Sequence, residues 1–172
     1  MTREHERCEA CGFDGALYTD AALLEALRSL HERWRQQLGA AGSELRIRPE
    51  PDTWSAIEYA AHSRDITALH AYAVKQALTQ DEPIFPPIGD DLAEAAAVAY
   101  ADSNPAEVVE ALGVAAERLA RTAHDAGVDV WTRGLTVGES RSDVRRLLEH
   151  ALHDSQHHLN DVERGLASMR AD

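Results

Sequence analysis

The chain has 172 residues, 44% of them hydrophobic and 27% charged, which fits one water-facing domain with a sizeable core. Thirty acids against 17 bases give a net charge of −13. That argues against nucleic acid as a partner, because phosphate binding needs a basic surface, and no run approaches the ~18 apolar residues that span a bilayer. The N-terminus carries no apolar targeting segment, so a cytoplasmic protein is expected, with no membrane partner. Lys75 is the only lysine among many arginines and alanines, the composition of a high-GC genome.

Residues 1–18 form a polar segment around Cys8 and Cys11, the only cysteines, spaced C-x2-C and followed by Gly12. In a reducing compartment such a pair points to metal or redox chemistry rather than a structural disulfide. A first helix is expected from Thr19 or Asp20 to Leu38, with Leu23, Leu24, Leu27, Leu30, Trp34 and Leu38 as its apolar stripe. A Pro-interrupted link over 43–53 leads to a second helix from about Asp52 or Thr53 to Leu78. Trp54, Ile57, Ala61, Leu69 and Tyr72 mark its inner face, with Glu58, His62 and Asp65 on or beside that stripe. A polar group on such a face must be satisfied or functional.

Residues 80–90 are too rich in proline for helix. A short helix is expected over 91–102, and another from Asn104-Pro105 to about Asp125, ended by Gly127. Residues 128–139 read as a brief extended segment or a loop over the bundle end. The last helix is expected from about Ser140 to Met169, capped by Ser140 or Ser142. The pattern is all-α, a four-helix bundle over 19–172, a fold that often holds metal between facing helices.

The last helix carries four histidines and two aspartates within 149–162. At roughly 100° per residue, Leu148, Ala151, Leu152, Ser155, Leu159, Val162 and Leu166 form the core stripe. Asp154, His158 and Asp161 border it, whereas His153 and His157 lie roughly 160–200° from its centre. Residues at i and i+4 are neighbours on a helix and can share one metal ion. The inner pair, Asp154 and His158, can be completed by His62 of the second helix. Glu58, Asp65 and Asp161 would then orient the imidazoles from outside. Two histidines and one carboxylate leave positions open for substrate. For the outer pair, His153 and His157, the unassigned soft ligands are Cys8 and Cys11. Together they make a closed tetrahedral zinc set, a knuckle that would pack residues 1–18 onto the last helix.

Two stretches are similar to motifs of the DinB-like superfamily, which includes mycothiol-dependent maleylpyruvate isomerases and related thiol S-transferases. One is Trp54-Ser55-x2-Glu58-x3-His62-x2-Asp65; the other is Asp154-x3-His158-x2-Asp161-Val162. The resemblance spans about residues 20–170. It implies a four-helix bundle holding zinc or nickel on His62, Asp154 and His158, with Asp154 standing where the family has His or Glu. An alternative register takes His153 and His157 as the ligand pair. The wheel favours Asp154 and His158, and Asp161-Val162 then falls in place. The cysteine segment is outside the family pattern.

The resemblance further implies metal-dependent transfer or addition of a low-molecular-weight thiol, mycothiol in type, to an electrophilic small molecule. The expected partners are that substrate and the thiol. The competing reading is a non-catalytic, stress-related metal-binding bundle that acts as a homodimer. The remaining histidines (His5, His31, His70, His124 and His150) carry no signal and are expected at the surface.

Overall fold

The computed structural model describes residues 5–86 and 98–171. Helices α1 (Asp20–Arg28), α2 (Leu30–Ala41), α3 (Ala56–Thr79), α4 (Pro105–Ala126) and α5 (Val144–Ala171) build an all-α four-helix bundle in which α1 and α2 together form one arm. Helix α3 packs most extensively on α4 and α5, and α1 and α2 close the bundle against the same two helices. Trp34, Leu23, Leu27, Ile57, Leu112, Leu119, Trp131, Leu148 and Leu152 are fully buried between them. Each buried indole N–H finds an acceptor, Trp34 on Ser155 Oγ (2.7 Å) and Trp131 on the Ala123 carbonyl (2.9 Å).

The expected first helix is broken at Ser29. The Ser29 hydroxyl donates to the Ala26 carbonyl at 2.8 Å, and His31 Nδ1 lies 2.8 Å from the Arg28 carbonyl. Side chains that bond back to the preceding turn bend a helix. Helix α3 starts at Ala56, later than expected, because Ser55 rather than Thr53 is its cap. The Ser55 N–H and hydroxyl both donate to Glu58 Oε2, at 2.8 and 2.7 Å. Its inner face also differs from the expected one. Leu69 and Tyr72 are exposed, and Thr67, His70, Ala71 and Val74 take the core positions instead.

The last helix begins at Val144, not Ser140. Residues 140–143 are strand β5 (Ser140–Asp143), a hairpin partner of β4 (Gly134–Val137), and β3 (Ile84–Phe85) adds to β4 in parallel. The turn residue Gly138 has φ +58°, as a two-residue hairpin loop requires. The first N–H groups of α5 are satisfied by the Arg133 and Trp131 carbonyls and by Asp143 Oδ1, so the helix is capped by the segment leading into the hairpin and by the last residue of β5. Residues 98–100 of the expected 91–102 helix are helical, and 101–102 form a turn. Residues 87–97, which hold the rest of that helix and part of the expected 80–90 loop, lie outside the described residues. No helix among the described residues is long and apolar enough to cross a membrane.

The N-terminal segment forms its own hairpin, β1 (Arg7–Cys8) against β2 (Phe13–Asp14), turned at Gly12 with φ +74°. It lies on α5. The anchor is a buried ion pair, Arg145 with Glu149, whose side chains are 3% and 0% exposed. Glu149 accepts from Arg145 Nε (2.6 Å) and the Glu6 N–H (2.8 Å), and lies 2.7 Å from His5 Nδ1. Arg145 donates onward to the Gly15 and Tyr18 carbonyls and to Asp20.

Candidate metal centres

Helix α3 presents His62, and α5 presents Asp154 and His158, one turn apart. Donor atoms of the three all lie within 4.8 Å of one another. Both His62 Nε2 and His158 Nε2 stand 3.6 Å from Asp154 Oδ1. That is too far for a hydrogen bond. It is close to the ~3.4 Å between two ligands bound tetrahedrally to one ion at about 2.1 Å. Asp154 Oδ2 is buried and has no hydrogen-bond partner among the described residues. A buried orphan oxygen beside two imidazole nitrogens is a donor set that fits a divalent cation.

Burial alone would raise the Asp154 carboxyl, but His158 and His62 outweigh it and hold the group ionised far below the usual carboxylate range. Burial would lower His158, yet Asp154 and then Asp161 raise it. Asp161 Oδ2 lies 3.0 Å from His158 Nδ1, which points the opposite nitrogen at Asp154. Aromatic rings wall the site. Tyr59 stacks on His158 (4.8 Å between centroids) and Trp54 meets His62 edge-on (5.3 Å).

A second cluster lies on the next face of α5. Cys8, Cys11, His153 and His157 have donor atoms within 4.8 Å of one another. Cys8 Sγ is 3.6 Å from His157 Nδ1, and both thiols are free. The Cys8 sulfur is brought down to about 7, first by the Cys11 backbone N–H, against burial, with His157 adding to it. Cys11 is pushed up, chiefly by burial. Here too an orphan appears, since His153 Nε2 is buried without a partner among the described residues. The two clusters meet at Asp161, whose Oδ2 is also 3.6 Å from His157 Nε2.

Two residues expected to orient imidazoles do other work. Glu58 is held by Arg48 (Nη2 to Oε1 2.5 Å, Nε to Oε2 3.0 Å) and by its own helix cap, so its oxygens are occupied. Burial would raise its carboxyl, but Arg48 and Ser55 keep it lowered. Asp65 pairs with Arg64 and accepts the Tyr100 hydroxyl at 2.9 Å, reaching His62 only through the Tyr100 ring, 6.5 Å away.

The histidines expected at the surface are not uniformly there. His70 is buried and gives its Nδ1 to the Ile66 carbonyl (2.8 Å). Its ring meets His150 at 5.3 Å, and burial followed by His150 pulls it down to about 4. Glu6, Arg145 and Glu149 were not singled out from sequence. The available signal was the i,i+4 Arg145–Glu149 pair beside the Val144–Leu148 stripe.

The family model for the DinB superfamily matches residues 39–162. That span includes His62, His153, Asp154, His157 and His158 but not the cysteines. Among solved structures the chain is similar to YfiT from Bacillus subtilis, with a TM-score of 0.79, 15% identity, and 88% of this chain and 87% of that chain covered. YfiT is described as a probable metal-dependent hydrolase with an unusual four-helix bundle topology. At that identity the likeness speaks to the fold. No curated protein matches the sequence significantly.

Proposed function

The chain belongs to the DinB superfamily, and from that premise we propose that it is a metal-dependent enzyme working at His62, Asp154 and His158. Its reaction is the transfer or addition of a low-molecular-weight thiol, mycothiol in type, to an electrophilic small molecule. The observation that carries this reading is the convergence of two imidazole nitrogens on a buried, ionised and partly unpartnered carboxylate. Zinc or nickel suits two nitrogens and one oxygen. Bound there with open positions, such an ion supplies Lewis acidity that lowers the pKa of a coordinated thiol or water.

The chain's own residues do the rest. Asp161 fixes the His158 ring and its tautomer through Nδ1. Asp154 contributes the negative charge that offsets a dication. Trp54, Tyr59 and Tyr100 form an aromatic wall beside the ligands, which favours an apolar substrate surface and limits competing water. Tyr100, pushed up to about 12 by burial and by Asp65, stays a neutral hydroxyl.

A hydrolytic reading uses the same site with water in place of the thiol, and the description of YfiT favours it. One experiment separates the two. Metal-loaded protein is offered thiols with electrophiles, and separately esters and amides. Thiol consumption that disappears in His62→Ala, with the helical signal intact, supports thiol transfer. Hydrolysis that disappears in the same variant supports the hydrolase. Activity that survives His62→Ala, or no activity with either panel, refutes catalysis at this site.

A further inference from the structure

We propose that Cys8, Cys11, His153 and His157 hold a structural zinc ion that clamps the N-terminal hairpin onto α5, with Glu6 setting the tautomer of His153. The site is separate from the catalytic reading above and stands without it. Its sulfur half is already shaped. The β1–β2 hairpin pairs Cys8 with Phe13 and turns at Gly12, which sets both sulfurs among four donor atoms that lie within 4.8 Å of one another.

Its histidine half is shaped too. His153 Nδ1 sits 3.0 Å from Glu6 Oε1, so its proton points to the carboxylate. That leaves Nε2 as the lone-pair nitrogen, and Nε2 is buried with no partner among the described residues. Phe13, two residues beyond Cys11, stacks on the same imidazole with centroids 5.2 Å apart. Glu6 itself is buried and ion-paired to Arg146 at 2.6 Å, so it remains a carboxylate acceptor. His157 offers Nδ1 to the Cys8 sulfur side and turns Nε2 toward Asp161.

Glu6, His150 and His153 could also converge on an ion. That set gives only three ligands, includes a half-exposed His150, and places Glu6 against His153 Nδ1 rather than Nε2. The cysteine set leaves Nδ1 to Glu6 and can take Nε2, gives four ligands, and neutralises the dication with two thiolates. On binding, the two thiol protons pass to solvent.

The test is cobalt(II) titration of the full, reduced chain. The wild type should show a thiolate-to-cobalt charge-transfer band and the strong visible absorption of tetrahedral cobalt, both abolished by zinc. Cys8→Ser and Cys11→Ser should lose the charge-transfer band, and His153→Ala and His157→Ala should lose the tetrahedral pattern. Glu6→Gln should weaken zinc binding by about 10–100-fold. His62→Ala should leave the band unchanged, which separates this site from the catalytic one. A chelator should open residues 5–18 to protease while α5 keeps its helical signal. Reduced wild type without a charge-transfer band, or a band indifferent to both histidine substitutions, overturns the proposal.

Discussion

Glu149→Ala is the substitution whose cost follows most directly from the structure. Glu149 is fully buried and faces Arg145, whose side chain is only 3% exposed. The change strips three groups of an acceptor: Arg145 Nε, the Glu6 N–H and His5 Nδ1. Breaking a buried ion pair by deleting one partner costs about 3–5 kcal/mol, because the remaining charge is uncompensated. Arg145 keeps Asp20 and two carbonyls, which places the expected loss at the lower end, about 3 kcal/mol. For a domain of this size that corresponds to a fall in Tm of about 6–12 °C.

The measurement is urea unfolding followed by circular dichroism at neutral pH, with the same free zinc concentration for both proteins so that metal linkage is common to the two curves. Hydrogen exchange should show residues 5–18 opening first. The pH dependence has a defined sign. Burial would raise Glu149, but the Glu6 N–H, Arg145 and His5 lower it below its unfolded value. Its contribution is therefore present above the ordinary glutamate value of about 4.3 and is lost as pH falls through the folded value. A loss below about 1 kcal/mol at neutral pH would show that the pair does not anchor the segment.

Three further outcomes are expected. Gly15→Ala places a Cβ 2.5 Å from Glu149 Cδ and Oε2, a clash with a buried side chain that should cost about 1–3 kcal/mol in the same unfolding assay. His70, held down to about 4 by burial and His150, stays neutral in the folded protein while the unfolded chain takes up a proton below about 6.5. Stability should therefore fall by up to about 3 kcal/mol as pH drops from 6.5 to 4. His70→Gln should flatten that slope, and an unchanged slope would refute the assignment. Asp161→Asn should weaken metal binding at the His62 site by about 10–100-fold without unfolding the bundle, measured by competition with a chromophoric chelator.

The sequence by itself determined the bundle and the separation of the α5 faces. Helical periodicity is local, so Leu148, Leu152, Leu159 and Val162 announce the core stripe. The same arithmetic places Asp154 and His158 on one flank and His153 and His157 on another. It also paired His62 with the first flank and the cysteines with the second, and the structure brings both sets of donor atoms within 4.8 Å.

What periodicity does not carry is the competition for each polar group. Glu58 and Asp65 lie near His62 on the helix, but Arg48, Ser55, Arg64 and Tyr100 claim them from elsewhere in the chain. The start of α5 was decided by the hairpin that displaces residues 140–143 and by the Trp131 and Arg133 carbonyls just before it, and the inner face of α3 by which side α4 and α5 cover. Only the tertiary structure brought Glu6 and Glu149 together, because the two lie 143 residues apart in sequence. The burial that gives Arg145–Glu149 its strength arises only when the N-terminal hairpin closes over α5.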